Sequence, residues 1–141
     1  MMSKKVDFYI YEISDYQLYQ KLVCNIIEET YNLNKNVLLL CEDEECCEIF
    51  DQLLWTYKDI GFIPHEKKYE NSIATQRINS ATTDDSITLM NLSYSFPDSL
   101  ESYNQIIEMS GYDENSRQKA RRNFKKYRTM NFEINPVQVK L

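Results

Sequence analysis

The stretch VLLLCEDEECCEIFDQLLWTYKDIGFIPH, residues 37–65, decides the fold class of this chain. It opens with an apolar run at residues 37–41, which is typical of a strand buried on both faces of a parallel sheet. Residues 43–57 place apolar side chains at three- and four-residue spacing, the pattern of an amphipathic helix. Acidic residues crowd the first turn of that helix, where its dipole favours negative charge. A strand, a tight turn and a helix form half of a βαβ crossover, so the stretch predicts a parallel α/β fold.

The rest of the chain continues this alternation. Further strands are predicted at residues 6–11, 86–92 and 105–109. Further helices are predicted at residues 16–32, 97–103 and 115–130. Residues 67–85 are polar and are predicted to hold at most one short strand, near residues 76–79, and the ordered part is predicted to end at residues 132–134. The alternation predicts a single three-layer α/β/α domain over residues 1–141, with a mostly parallel sheet as in nucleotide-binding folds.

The composition limits the class of protein. The chain has 141 residues, of which 43% are hydrophobic and 27% charged, enough for one domain with a single core. Its net charge of −6 would repel nucleic acid unless positive charge is concentrated locally. No apolar run approaches the length of a membrane span, and the N-terminus lacks a signal-peptide core. We therefore expect a cytoplasmic protein with no membrane association and with reduced cysteines.

Nucleotide binding and catalysis have weak support in the sequence. Phosphate-binding loops need glycine where the backbone approaches phosphate, and the two glycines, Gly61 and Gly111, form neither GxGxxG nor GxxxxGK[ST]. His65 is the only histidine, and it is interpreted as a loop residue after proline because no partner for a catalytic triad is evident. The sequence predicts no nucleotide cofactor and no catalytic residue.

The acidic, cysteine-containing turn at residues 41–48 raises the question of a metal site. Cys46 and Cys47 are adjacent on the predicted helix, so their side chains point about 100° apart. No second pair of cysteine or histidine residues completes four ligands. The cysteines of this turn are therefore interpreted as core thiols beside the acidic start of a helix, and no metal site is predicted.

One segment concentrates positive charge in this acidic chain. RQKARRNFKKYR, residues 117–128, contains seven basic residues among twelve and no acidic one. At helical spacing one face carries Arg117, Arg121, Phe124, Lys125 and Arg128. A solvated helix face is the usual explanation of a charge run, but like charges four residues apart repel, which favours a binding role. The face suits an anionic partner with an apolar residue, or single-stranded nucleic acid.

A second candidate surface lies at the end of the second predicted helix. Trp55 is followed by the apolar loop DIGFIPH, where a polar loop would be expected. Phe62 is difficult to bury on a loop, so Trp55, Phe62 and Pro64 are predicted to form part of a partner interface.

The chain resembles the chi subunit of bacterial DNA polymerase III. The resemblance is carried, in the same order, by FYIYE near the N-terminus, VLLLCEDE, LLW followed by FIPH, and the late pattern RxxARxxFKxYR. It implies a single α/β domain without a catalytic site of its own that is a component of the polymerase holoenzyme. In that family the subunit pairs with the psi subunit of the clamp loader. It also binds the acidic, phenylalanine-ended tail of single-stranded-DNA-binding protein.

The resemblance assigns roles to both candidate surfaces. It implies that Arg117, Arg121, Phe124 and Lys125 bind the acidic tail, with Tyr127 and Arg128 continuing the segment. Phe124 stands where a tyrosine is familiar in the family. The resemblance also implies that Phe62 faces psi in a heterodimer, with Trp55 and Pro64 beside it.

Three classes of function remain open from the sequence. The first is a replisome adaptor that contacts DNA only indirectly. The second is a direct single-stranded nucleic-acid-binding module that stacks bases on Phe124 of the basic helix. The third is an enzyme on a nucleotide-type fold. The net charge favours the first class over the second, and the missing glycine loops disfavour the third.

Overall fold

A computed structural model describes residues 4–33, 36–56, 65–67, 72–75, 87–97, 100 and 103–139. The helices in this part of the chain are α1 (Tyr16–Asn32), α2 (Glu44–Thr56) and α3 (Glu114–Thr129). The strands are β1 (Lys5–Ile10), β2 (Asn36–Leu40), β3 (His65–Lys67), β4 (Ser72–Thr75), β5 (Ile87–Asn91), β6 (Gln105–Met109) and β7 (Glu133–Gln138). No helix among these residues is both long enough and apolar enough to cross a bilayer.

These strands form one sheet in the order β3-β4-β2-β5-β6-β1-β7. The pairs β2–β5, β5–β6, β6–β1 and β1–β7 are parallel, whereas β4 is antiparallel to both β2 and β3. The crossover from β1 through α1 to β2 spans two strand positions, which β5 and β6 later fill. The mostly parallel α/β sheet predicted from the sequence is therefore confirmed.

Helices cover both faces of the sheet, as predicted. Apolar side chains of α1 and α2 share one core with Met90 and Ile107. Side chains of α3 share a second core with Leu89 and Ile106, the neighbours of those two residues. Successive residues of a strand point to opposite faces, so α3 lies across the sheet from α1 and α2.

Each helix begins at an aspartate that accepts a backbone hydrogen bond. Asp15 Oδ1 accepts from Gln17 N, and Asp113 Oδ1 accepts from Ser116 N, each at 2.8 Å. Asp43 Oδ1 accepts from the backbone N–H of Cys46, also at 2.8 Å. These side chains satisfy N–H groups that the first turn leaves without partners, which explains why the helices start where they do.

Several sequence predictions need correction at the margins of the sheet. The ordered part does not end at residue 134, since β7 continues to Gln138 and pairs with β1 along its whole length. His65 is not a loop residue but the first residue of β3. Residues 67–85 contain β4, which the sequence did not indicate. The strand predicted at residues 76–79 lies outside the described residues, as does most of the short helix predicted at 97–103.

Candidate functional site

A groove of about 370 Å³ runs between α3 and β1. We call it the α3 groove. Its apolar part comes from Phe8, Ile10, Ala120 and Phe124, and its cationic rim comes from Arg117, Arg121 and Lys125. The Phe124 ring meets the ring of Phe8 edge to face, with centroids 5.4 Å apart. The structure thus brings together four of the five tail-binding residues predicted from the sequence.

The three rim cations differ in how firmly they are held. The Arg117 guanidinium donates a hydrogen bond to the backbone oxygen of Ile13 at 2.7 Å, so its charge is fixed at one end of the α3 groove. Arg121 pairs with Glu114 at 3.2 Å, but both side chains are more than 60% exposed, and such pairs contribute little to stability. Lys125 is exposed. The groove therefore combines one anchored cation with two that can reorient.

Arg128 and Tyr127 do not follow the sequence prediction as closely. Arg128 is exposed but is not among the residues that line the α3 groove. Tyr127 is fully buried, and burial together with the nearby Glu108 carboxylate raises the pKa of its hydroxyl. Tyr127 belongs to the core under α3 and is unavailable to a partner at the surface.

The inner side of α3 is held by a buried polar network around Glu108 on β6. Glu108 Oε2 accepts hydrogen bonds from Tyr127 at 2.8 Å, Asn91 at 3.0 Å and Asn123 at 3.2 Å. Its Oε1 faces the Lys119 ammonium at 3.2 Å. Lys119, one of the seven basic residues of the segment, thus points into the protein. The network fixes the rotation of α3 and hence the direction in which Arg121 and Phe124 project.

The start of α3 is also fixed in place. Asp113 and Ser116 form a reciprocal capping box, and hydrogen bonds from Ser116 lower the pKa of the Asp113 carboxyl. Gly111 precedes this cap with φ +95°, and a Cβ at this position would lie 2.7 Å from backbone and side-chain atoms of Ser116. Its N–H donates to the hydroxyl of Tyr11 at 3.0 Å. The turn between β6 and α3 therefore requires glycine.

Trp55 lies at the end of α2, on the other side of the sheet. It is 46% exposed, and its ring centroid lies 4.1 Å from that of His65. The His65 ring is buried and its Nε2 contacts the backbone oxygen of Asp51 at 3.1 Å, so the histidine supports the tryptophan from below. Phe62 and Pro64, the other residues predicted for this surface, lie outside the described residues.

A second cavity, of about 240 Å³, lies where β2, β5 and β6 end and the helices begin. We call it the tyrosine cleft, defined by four tyrosines and three acidic residues: Tyr16, Tyr19, Tyr94, Tyr112, Glu42, Asp43 and Glu45. No local sequence pattern indicates this cleft, because its tyrosines come from three separate segments. The abundance of tyrosine, 11 residues in all, was the one signal available.

The cysteines predicted as core thiols differ in their exposure to the tyrosine cleft. Cys24, Cys41 and Cys47 are buried, whereas Cys46 is partly exposed and lines the cleft. A hydrogen bond from the Cys41 thiol lowers the pKa of Cys46. Within the described part of the chain, no group of three or more cysteine, histidine or acidic side chains is arranged to hold a metal ion.

Comparison with known proteins gives one consistent result. Residues 2–135 match the family described as DNA polymerase III chi subunit, HolC. The chain is 30% identical to DNA polymerase III subunit chi of Escherichia coli K12 over 123 residues, 82% of each chain. It is 25% identical to the Haemophilus influenzae protein of the same name, over 98% of this chain and 99% of that one. The corresponding Pseudomonas aeruginosa protein is also 25% identical, over 92% and 93%.

Proposed function

Since the chain belongs to the DNA polymerase III chi subunit family, we propose that it is an accessory subunit in DNA replication that acts as an adaptor. In this role it has no catalytic site and links two partners. The psi subunit of the clamp loader binds at Trp55, and the C-terminal tail of single-stranded-DNA-binding protein binds in the α3 groove. The role implies a cytoplasmic location, as the sequence predicted.

One observation supports the tail-binding half most directly: the α3 groove joins an apolar floor to a cationic rim. A tail of aspartates that ends in phenylalanine has the complementary pattern. The terminal ring would lie against Phe124 and Phe8, where an aromatic contact contributes roughly 0.5–1.5 kcal/mol beyond the buried area. The three rim cations would face the carboxylates.

The rim cations have different roles in this proposal. Arg121 would bind the terminal carboxylate, because a guanidinium can form two parallel hydrogen bonds with it and lysine cannot. Releasing Arg121 from Glu114 costs little, since that ion pair is exposed. Arg117, anchored on Ile13, and Lys125 would attract the aspartates. An anchored cation loses little side-chain entropy when a ligand binds.

The psi-binding half of the proposal depends on Trp55. A large aromatic ring that is half exposed and supported by a buried histidine is typical of an interface hot spot. We propose that Phe62 and Pro64 extend this surface, so that psi and the acidic tail bind on different sides of the sheet.

Titration of a fluorescent peptide, several aspartates followed by Pro-Phe, tests the tail-binding proposal by anisotropy. Phe124→Ala and Arg121→Ala should each weaken binding by about tenfold or more, the loss typical of interface hot spots. Arg122→Ala is the matched control, because Arg122 is an exposed neighbour on the same helix that does not line the α3 groove. Salt should weaken the charge contacts but leave the preference for a terminal phenylalanine intact.

Two results would overturn this proposal. Equal binding of a scrambled peptide of the same charge would show a nonspecific basic surface. Tighter binding of a single-stranded oligonucleotide, with equal losses in the Arg121 and Arg122 variants, would favour the nucleic-acid-binding alternative. Arg122 and Lys126 extend the positive charge beyond the α3 groove, so the oligonucleotide titration belongs in the same experiment.

A further inference from the structure

The tyrosine cleft occupies the position at which open α/β sheets usually bind ligands, outside the carboxyl ends of the parallel strands. In nucleotide-binding proteins this position receives phosphate, which is held by N–H groups at a helix N-terminus. Here the helices begin at Asp15, Asp43 and Asp113, and each aspartate accepts a hydrogen bond from its own helix at 2.8 Å. The chain's own carboxylates thus occupy the positions that a phosphate would use.

The charge around the cleft is negative. Glu42, Asp43 and Glu45 line it, and Asp113 lies next to the lining residue Tyr112. Burial raises the pKa of Tyr94, and the charges of Asp113 and Glu42 raise it further, which is the effect of a negative field on a phenol. This field opposes an anionic ligand and favours a cation.

One cation of the protein also lines the cleft, but its charge is balanced. Lys119 Nζ lies 3.2 Å from Glu108 Oε1 and donates a hydrogen bond to the backbone oxygen of Asn91 at 3.1 Å. The charges of Lys119 and Glu108 are opposite and adjacent, so the pair contributes no net charge near the cleft. The acidic side chains of the rim are therefore not neutralised by Lys119.

The rings of Tyr16, Tyr19 and Tyr112 form an aromatic cluster along the cleft. The centroid of Tyr112 lies 4.8 Å from that of Tyr16 and 4.7 Å from that of Tyr19. Tyr16, Tyr94 and Tyr112 are only partly buried, so their rings are accessible from the cleft. Aromatic rings attract a cation that lies within about 6 Å of a ring centroid, and acidic neighbours add to this attraction.

We propose that the tyrosine cleft binds a guanidinium or alkylammonium group carried on an aliphatic stem. The source would be an arginine or lysine side chain of a partner protein, or a free polyamine. Apolar side chains that also line the cleft, Ile49, Leu92 and Met109, would contact the stem. The volume of about 240 Å³ suits one such group, because pockets for drug-sized ligands measure roughly 300–1,000 Å³.

The ligand chemistry is tested by NMR titration of the isotope-labelled full chain. The probes are a Gly-Arg-Gly peptide, the same peptide with neutral citrulline in place of arginine, agmatine, and inorganic phosphate. The arginine peptide or agmatine should shift the resonances of Gly111 and Tyr112, and the citrulline peptide should not. Tighter binding of the peptide than of agmatine would indicate a protein side chain as the source, and the reverse would indicate a free amine.

Two pairs of variants distinguish binding in the tyrosine cleft from a general effect of negative charge on the surface. Glu45→Gln should weaken binding, whereas Glu44→Gln should not, because Glu44 is its exposed neighbour and does not line the cleft. Tyr112→Leu should weaken binding by about twofold to thirtyfold, the equivalent of one cation–π contact. Tyr112→Phe, which keeps the ring, should bind like the unaltered chain.

Some results would refute the cation-binding proposal. Equal binding of the citrulline peptide, equal effects of Glu44→Gln and Glu45→Gln, or resonance shifts with phosphate alone would each overturn it. The acidic-tail peptide should bind all four variants normally, so failure of the α3 groove proposal and failure of the cleft proposal are distinguishable.

Discussion

Replacement of Lys119 by methionine tests the buried network that orients α3. The Lys119 side chain is 6% exposed and that of Glu108 is 0% exposed, so water does not screen the pair. Methionine retains most of the aliphatic volume but removes the ammonium group. Glu108 would then remain buried without its countercharge.

The expected loss can be worked from the contacts. Removing one partner of a buried ion pair typically costs about 3–5 kcal/mol. Glu108 would keep the three hydrogen bonds to Oε2 from Asn91, Asn123 and Tyr127, which continue to stabilise its charge. We therefore expect Lys119→Met to lower the free energy of unfolding by about 3 kcal/mol, the lower end of this range.

Urea denaturation of four variants provides the measurement: Lys119→Met, Glu108→Gln, their double variant and Lys125→Met. Lys125→Met is the matched control, because Lys125 is exposed on the same helix and its loss should change stability by no more than about 0.5 kcal/mol. The double variant Glu108→Gln/Lys119→Met removes both charges, so its loss should be about 0.5–3 kcal/mol smaller than the sum of the two single losses. Two results would refute the interpretation that Lys119 and Glu108 form a buried, coupled pair. One is a loss of stability in Lys119→Met no larger than that in Lys125→Met, and the other is a loss in the double variant equal to the sum of the two single losses.

Three further predictions follow from the described contacts. Asp113→Ala should cost about 1 kcal/mol, the usual value of an N-cap. Folding lowers the pKa of Asp113, so the stability that its carboxylate contributes is present above the unfolded-state pKa and is lost as pH falls through the folded-state pKa. The melting curves of Asp113→Ala and of the unaltered chain should therefore converge in acid. Gly111→Ala should cost at least about 1–2 kcal/mol in urea denaturation, because φ is +95° and the new Cβ meets Ser116. Trp55→Ala should cost less stability than the roughly 3–5 kcal/mol expected for buried Phe50, yet abolish co-purification with psi.

The elements that the sequence predicted well are those with a strong local pattern. The apolar run and amphipathic stripe of residues 37–57 became β2 and α2 within one residue of the predicted bounds. The predicted bounds of α1 and β6 agree with the structure. The buried side chains of α1 and α2 recur at helical spacing, whereas β6 is buried at four successive residues, as expected of a strand covered on both faces. Tertiary contacts therefore reinforce the local preference.

The margins of the sheet lack such a pattern. β7 contains Pro136, which argues against a strand because proline cannot donate to a ladder. The objection does not apply at the edge of the sheet, where β7 pairs only with β1 and one side of its backbone needs no strand partner. β3 and β4 are three and four residues long, too short for a period to be recognised, and they are stabilised by antiparallel pairing rather than by their own sequences.

The basic residues of α3 show why the sequence alone could not predict which of them are exposed and which is buried. The sequence predicted a cluster of positive charge on α3, but helical spacing does not predict which basic side chain faces the core. That depends on Glu108, which lies outside the helix, on β6, and is fully buried. Its carboxylate draws in Lys119 and the Tyr127 hydroxyl.

The same rotation of α3 that buries Lys119 determines which side chains reach each cavity. Lys119 and Ser116 line the tyrosine cleft, and the next positions of the helix, Arg117, Ala120 and Arg121, line the α3 groove. Since a single helix separates the two cavities, a rotation of one residue, about 100°, would exchange cationic and polar side chains between them. The Glu108 network opposes this rotation from inside, and the Asp113 cap opposes it at the helix start. Two surfaces of opposite charge can therefore lie on either side of one helix because its inner face is fixed by a buried ion pair.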